Sequence, residues 1–491
     1  MIWRHLRVFT LATATLFAAV ALPSAQQGTQ PGVLAMLPGD AVTAHEMRIG
    51  DETVAYTATA GTLPLFDQTG GPLASIFYTA YTRTGFEPAE RPVTFVFNGG
   101  PGAAAVYLHL GLVGPRVADF GARPDGATAR LIDNPASWIA FTDLVLIDPI
   151  GAGWSRTARP GNASDFWNVD ADADTLAKAI ALYLSHHGRH QSPKYLLGES
   201  YGGFRAVKVA RALQSEQGTI VSGIVMVSPF LDGSFQYGTH ALGEALTLPS
   251  IAASELDRRG TYSPEALADA ERFAITDYLV TLAGPPLQGT AALAFHERVA
   301  AISGLPVDLV ARTRGFIARS YLDHARDSEG GSMSPYDGAF VATDPYPESG
   351  RGSGDDPILD GYLAALGNLF VGYARDHLTY RTDVTYRVLN RETSRRWNWG
   401  HGGRLRANVS QDLRELLALN PSFRLLVGHG RSDLVTPYAI SAYLLNRLPG
   451  AAEDGRAQLG VYRGGHMFYF DAGARAEFTR DAQAFYGSAM R

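Results

Sequence analysis

The chain of 491 residues has no cysteine. That absence excludes disulfides, thiol catalysis and cysteine-ligated metals. Lysine is almost missing as well: Lys178, Lys194 and Lys208 are the whole supply, so arginine carries nearly all the positive charge. No basic run or basic domain stands out, and the formal net charge is −6. Both facts argue against nucleic acid as a partner. Beyond the leader, no segment is long and apolar enough to span a bilayer. There is no D-x-D-x-D-G calcium loop and no repeat at a solenoid period. The remaining composition, 46% hydrophobic and 18% charged, is that of a soluble globular protein. The length suits one large α/β core with an insertion, or two or three separate domains.

The leader has a layout of its own. A short basic start, MIWRHLR, is followed by the uncharged apolar stretch Val8 to Leu22 and by small residues at Ser24 and Ala25. This reads as a secretory signal over residues 1–25, with Ala21 as an alternative cleavage point. The mature protein is expected to be exported, periplasmic or secreted, and off the membrane once the signal is removed.

Residues 46–90 have an antiparallel look, with a Gly50-Asp51 turn and the strand formers of Ile76 to Arg83. From residue 92 the pattern becomes short apolar runs separated by helix-length segments. The runs are Thr94–Phe97, Leu144–Ile147, Tyr195–Leu197, Ile224–Val227, Arg424–Val427 and Leu459–Tyr462. Runs that are apolar on both faces are buried parallel strands, and the alternation predicts an α/β fold. Between 236 and 395 helical patterns replace the strands. Helices are expected from Ser263-Pro264-Glu265, from Pro306, and over Asp356 to His377. The Gly-, Ser-, Asp- and Pro-rich stretch 327–357 reads as a structureless mobile loop. The expected organisation is a first core part over 26–235, a helical insertion over 236–395, and a second core part over 396–491.

Within this frame Gly198-Glu199-Ser200-Tyr201-Gly202 ends one apolar run and opens an amphipathic stretch, where Val207, Ala210 and Leu213 recur at helical spacing. Strand, sharp glycine-flanked turn and helix make a nucleophile elbow with Ser200 at its tip. A serine hydroxyl needs a base, and the base needs an orienting acid. Downstream, Asp433 follows one strand in GHGRSDLVTP and His466 follows the next in RGGHM. Serine, acid and histidine thus come in the order of an α/β-hydrolase, each after a strand at the same sheet edge. Asp148 precedes Ser200, the wrong order, and reads as structural. His429 reads as structural too, and His186, His187 and His190 as surface residues. Acyl transfer also needs N–H donors for an oxyanion. Tyr201 N–H would supply one, and the glycine turn Asn98-Gly99-Gly100-Pro101-Gly102 a second.

NGGPG, NPASW (134–138), DLVLIDPIGAGWS (143–155), GESYGG, GRSDLVTP and GGHM follow one another along the chain. Together they resemble the serine carboxypeptidase family, in particular its cysteine-free bacterial branch. The resemblance implies an α/β-hydrolase with a helical cap and no metal or organic cofactor. It implies Ser200 as nucleophile, Asp433 as orienting acid and His466 as base. Gly100 and Tyr201 would form the oxyanion hole, and Asn98 and Glu199 would bind the substrate's terminal carboxylate. The expected reaction is release of C-terminal amino acids from peptides with a free carboxylate, through an acyl-enzyme. An esterase or acyltransferase on the same scaffold is the alternative. The chain departs from the family at three places. Ala103-Ala104-Ala105 stands where Cys-Ser-Ser is usual, and Val96 where tryptophan is usual. Near Leu112 the usual acidic residue is missing, which implies a Glu199 without its carboxylate partner.

Overall fold

The computed structural model describes residues 32–121, 126–327, 331–346, 348, 355–450 and 454–489. The leader read as a signal lies outside them. Among the described residues no helix is long and apolar enough to cross a membrane.

Nine strands build the central sheet: β1 (Ala41–Ile49), β2 (Glu52–Phe66), β3 (Pro72–Arg83), β4 (Val93–Phe97), β5 (Asp143–Ile147), β6 (Lys194–Glu199), β7 (Gly223–Val227), β8 (Arg424–Gly430) and β9 (Ala457–Tyr462). A two-residue strand, Arg156–Thr157, pairs with β3 as a tenth. The spatial order is β1-β2-β3-β5-β4-β6-β7-β8-β9. The first three strands form an antiparallel meander that joins β5 antiparallel. From β5 onward every neighbour is parallel. This is the α/β-hydrolase arrangement, and the six apolar runs of the sequence are its six parallel strands.

The pattern has a physical cause. All residues of β4, β5 and β7 are buried because helices cover both faces. The edge strand β1 instead alternates between exposed positions and intermediate or, at Met47, buried ones, and makes one sheet margin. On one face Tyr81, Leu144, Leu146, Leu197 and Val225 pack with Phe370 and Phe478. On the other, Phe95, Val145, Leu196 and Ile224 meet α1 (Val169–His186) and α2 (Tyr201–Glu216).

Between β7 and β8 the chain leaves the sheet. Helix α3 (Ala241–Arg258) and the helices that follow it, up to Asp327, bury a core of their own around Leu248, Ile251, Tyr278, Phe295 and Val299. The helix starts have local reasons: the Ser263 hydroxyl accepts from Ala266 N–H ahead of Pro264, and Pro306 precedes Val307–Arg312. Helix α4 (Leu359–Asp376) behaves differently. Its Leu366, Phe370 and Tyr373 pack on the core of the sheet, so the segment 236–395 divides between two hydrophobic cores.

The expectation of a structureless 327–357 is corrected. Gly331–Ser334 and Asp337–Thr343 pair as an antiparallel hairpin. Gly338 N–H donates to the Ser432 carbonyl and Leu434 N–H to the Pro335 carbonyl, so the hairpin tip is fastened beside Asp433. Its backbone groups are satisfied by pairing, which a solvated loop would leave to water. Residues 328–330, 347 and 349–354 of that stretch lie outside the described ones.

Candidate active site

Ser200 stands between β6 and α2 with φ 58 and ψ −124, a conformation that an L-residue adopts at a cost of about 1–3 kcal/mol. The surroundings impose it. Ser200 N–H donates to the Val227 carbonyl (2.9 Å), and the Ser200 carbonyl accepts from Phe230 N–H (3.0 Å). The turn closes so tightly that a Cβ on Gly198 would lie 1.9 Å from the Gly202 carbonyl oxygen. Glycine is required there by space.

The glycine turn after β4 lies directly against the elbow. A Cβ on Gly99 would come within 2.6 Å of both Tyr201 N and the Glu199 carbonyl oxygen. Arg205, buried on α2, fastens the two segments by donating to the Asn98 carbonyl. Its Nε pairs with Asp172 of α1 at 2.7 Å, also buried. Nothing in the sequence points to this brace, because Arg205 reads there as an ordinary helix residue.

Asp433 and His466 meet as the strand order predicts. His466 Nδ1 lies 2.8 Å from Asp433 Oδ2. Asp433 Oδ1 accepts from Val435 N–H (2.8 Å) and Thr436 N–H (3.0 Å), and the Thr436 hydroxyl lies 2.6 Å from Oδ2. These donors hold a fully buried carboxylate in place of water. Burial pulls the His466 pKa down, but Asp433, by charge and hydrogen bond, and Glu199 outweigh it and leave the imidazole above its usual value. With Asp433 on Nδ1, the free Nε2 is the ring nitrogen left for exchange with a hydroxyl. The Tyr336 ring from the hairpin tip meets the imidazole edge-on at 5.4 Å, and His466 N–H donates to the Tyr336 carbonyl.

Asn98, Gly100, Glu199, Ser200 and His466 line one cavity of about 360 Å³. Asp433 sits behind the histidine. The Tyr201 side chain points away and packs against Trp397 and Trp399, so only its backbone belongs to the site. Those two tryptophans support the elbow helix and do not line the cavity.

Glu199 is the electrostatic anomaly. It is buried and, among the described residues, forms no ion pair with arginine or lysine, and desolvation pushes its pKa up to about 7 against the contrary pull of His466 and its hydrogen-bond donors. Asn98 Nδ2 donates to Oε2, and its orientation is set because Asn98 Oδ1 accepts from Leu108 N–H. The Tyr469 hydroxyl lies 2.9 and 2.8 Å from the two carboxylate oxygens. Glu199 thus has a neutral hydroxyl partner in Tyr469. Leu112 is buried in the apolar core. No local pattern in GGHMFYF joins this tyrosine to Glu199.

The remaining candidates fall elsewhere. The Asp148 carboxylate is buried, accepts from Ala105 N–H (2.9 Å) and is pushed up to about 6 by desolvation, so it braces the segment behind the glycine turn. His429 is hydrogen-bonded to Ser441 and driven down to about 4 by burial, which keeps it neutral. His186, His187 and His190 are exposed. Among the described residues no cluster of three His, Asp or Glu side chains could hold a metal ion.

Residues 56–252, which include the glycine turn and the elbow, match the family described as serine carboxypeptidase. Over that segment the chain is similar to the serine carboxypeptidases. Serine carboxypeptidase-like 51 of Arabidopsis thaliana is 31% identical over 194 residues, 36% of this chain and 37% of its own length. Serine carboxypeptidase-like 8 of the same plant is 28% identical over 133 residues, 26% of this chain and 29% of its own length. The matched region thus spans between 29% and 37% of the length of these relatives. Among solved structures, esterase E22 aligns over 90% of this chain and all of its own at 13% identity, with a TM-score of 0.40.

Proposed function

We propose that the protein is a serine-type carboxypeptidase, exported from the cell, that releases C-terminal amino acids from peptides through an acyl-enzyme. The observation that carries this reading is Glu199: a carboxyl group next to the strained serine, held near pH 7 by burial and facing the same cavity as the Asn98 amide.

In this mechanism Ser200 Oγ attacks the last peptide carbonyl while His466 Nε2 takes its proton. Asp433 holds the imidazole tautomer and stabilises the imidazolium. The backbone N–H groups of Gly100 and Tyr201 receive the oxyanion. His466 returns the proton to the departing amino acid, and water activated by the same histidine releases the shortened peptide. Protonated Glu199 and the Asn98 amide donate to the terminal carboxylate of the substrate. A substrate ending in an amide leaves those buried groups mismatched, which gives selectivity for the free acid.

Glu199 and His466 titrate as a pair, since neutral Glu199 with neutral imidazole holds as many protons as carboxylate with imidazolium. A ratio of two substrates removes the shared histidine. Blocked dipeptides differing only at the end, free acid against amide, are to be compared at pH 5 and pH 7. The expected result is strong preference for the acid, larger at pH 5. Equal cleavage, or turnover of simple esters alone, would move the protein to the esterase or acyltransferase reading.

A further inference from the structure

The cavity beside Ser200 has one wall that the proposed chemistry does not use. It is built from residues 391–404, RETSRRWNWGHGGR, and presents three guanidinium groups: Arg391, Arg395 and Arg404. Glu199 is the single carboxylate among the described lining residues. In a chain of net charge −6, this is a local excess of positive charge.

The wall is fixed to the site. Arg391 and Arg395 are four residues apart on the helix α5 (Arg391–Arg396) and therefore share a face. Asn390 caps that helix, accepting from Glu392 N–H, and its own N–H donates to the Gly102 carbonyl at 2.9 Å. The Ser394 hydroxyl donates to the Pro101 carbonyl. The helix is thus hydrogen-bonded to the NGGPG turn. Arg404 is held differently, its guanidinium 4.2 Å from the Tyr237 ring centroid and 5.2 Å from that of Trp399. Aromatic faces position a guanidinium without neutralising it.

Two of the three cations are electrically unspent. Arg391 pairs with Asp360. Among the described residues, Arg395 and Arg404 have neither an ion pair nor a side-chain hydrogen bond. Arg396, turned about 100° from Arg395 on α5, pairs with Glu392 at 2.9 Å and lies over Trp167, and it does not line the cavity.

We propose that this wall selects substrates with an acidic side chain next to the scissile bond, a Glu or Asp carboxylate received by Arg395 and Arg404. The inference deepens the carboxypeptidase reading and rests on it for the word peptide. The charged side chain is in addition to the terminal carboxylate, which Asn98 and Glu199 take. Charge-assisted contacts of this kind discriminate a carboxylate from its amide, and they weaken with salt where the site is open to solvent.

The test measures binding by calorimetry to the full chain carrying Ser200→Ala, which prevents turnover. The probes are benzyloxycarbonyl-Glu-Ala against benzyloxycarbonyl-Gln-Ala, and benzyloxycarbonyl-Ala-Glu against benzyloxycarbonyl-Ala-Gln. At least one glutamate peptide is expected to bind about tenfold more tightly than its glutamine partner at low salt. Adding Arg395→Ala and Arg404→Ala should bring that ratio to near one, whereas Arg396→Ala should leave it as it was. Equal binding within both pairs, or a preference that survives the double substitution, overturns the proposal. Neither result touches the carboxypeptidase reading, which is judged by the acid-to-amide ratio of the native protein. If that ratio fails while the glutamate preference holds, the wall selects anionic acyl substrates that are not peptides.

Discussion

At the N-terminal ends of the parallel strands, buried Asp143 lies between two buried arginines. Arg91 Nε pairs with its Oδ1 at 2.6 Å, Arg189 donates to Oδ2, and Arg83 N–H adds a third donor at 3.0 Å. At the C-terminal ends of the same strands, Glu199 and Asp433 are buried as deeply, yet among the described residues neither has an arginine or lysine. One edge spends its cations on its carboxylate. The other leaves its carboxylates to hydrogen bonds from Asn98, Tyr469 and Thr436, and to a histidine. The guanidinium groups flanking Asp143 offset the cost of burying its charge. Glu199, pushed up to about 7 by burial and held by neutral donors, can respond to a substrate.

Breaking each edge separately should give opposite phenotypes. Asp433→Asn keeps an oxygen for the Val435 and Thr436 N–H groups but presents His466 Nδ1 with the wrong partner. The expected cost is about 10⁴-fold in kcat on a blocked dipeptide acid, with a melting temperature close to that of the native protein. Activity within tenfold of native would remove Asp433 from the proposed triad. Asp143→Ala leaves Arg91 and Arg189 as uncompensated buried charges. Urea unfolding should show a loss of about 3–5 kcal/mol, with kcat/KM of the folded fraction retained. If Asp143→Ala loses turnover before it loses stability, the division between the two edges does not hold.

The same contrast explains what the sequence could and could not disclose. The parallel strands were legible because full burial leaves an unbroken apolar run such as DLVLI, and the Ser, Asp and His candidates because each ends such a run at the same edge. The hairpin at 331–343 was missed because glycine, serine and aspartate dominate its flanks. Its own turn, Ser334-Pro335-Tyr336-Asp337, carries the signal in four residues. Helix α4 was predicted, but its periodicity shows only that it has an apolar face. That Leu366 and Phe370 choose the sheet core over the insertion is decided by tertiary packing. Tyr469 is 270 positions from Glu199 in sequence, and no local pattern joins them.

Glu199→Gln sharpens the comparison within the active edge. A permanently neutral donor should make the acid-to-amide ratio nearly constant from pH 5 to pH 8, where the native ratio falls. Simple ester hydrolysis should be spared. Stability supplies an independent readout with a definite sign. The folded pKa of about 7 lies above the ordinary value of 4.5, so between those values the unfolded chain ionises while the folded one keeps its proton. Native stability at this residue is greatest below pH 4.5 and is lost as pH rises to about 7. The loss is on the order of 3 kcal/mol. The glutamine variant lacks that loss, so the stability difference between variant and native should move in the variant's favour across this window. A constant difference would leave Glu199 ionised throughout.

The smallest effect separates a tuning hydrogen bond from mere packing. Tyr469→Phe keeps the ring that fills the space beside Gly111 and removes only the hydroxyl that donates to Glu199. That hydroxyl stabilises the carboxylate, so its loss should raise the Glu199 pKa further rather than relax it. The pH at which the acid-to-amide ratio falls should therefore move upward by about half a unit to one unit, with little change in ester turnover. A purely structural tyrosine would lower stability and leave that midpoint where it was. A downward shift would mean that the hydroxyl donates mainly to the neutral acid, and that the Glu199 proton is held by burial and the Asn98 contact alone.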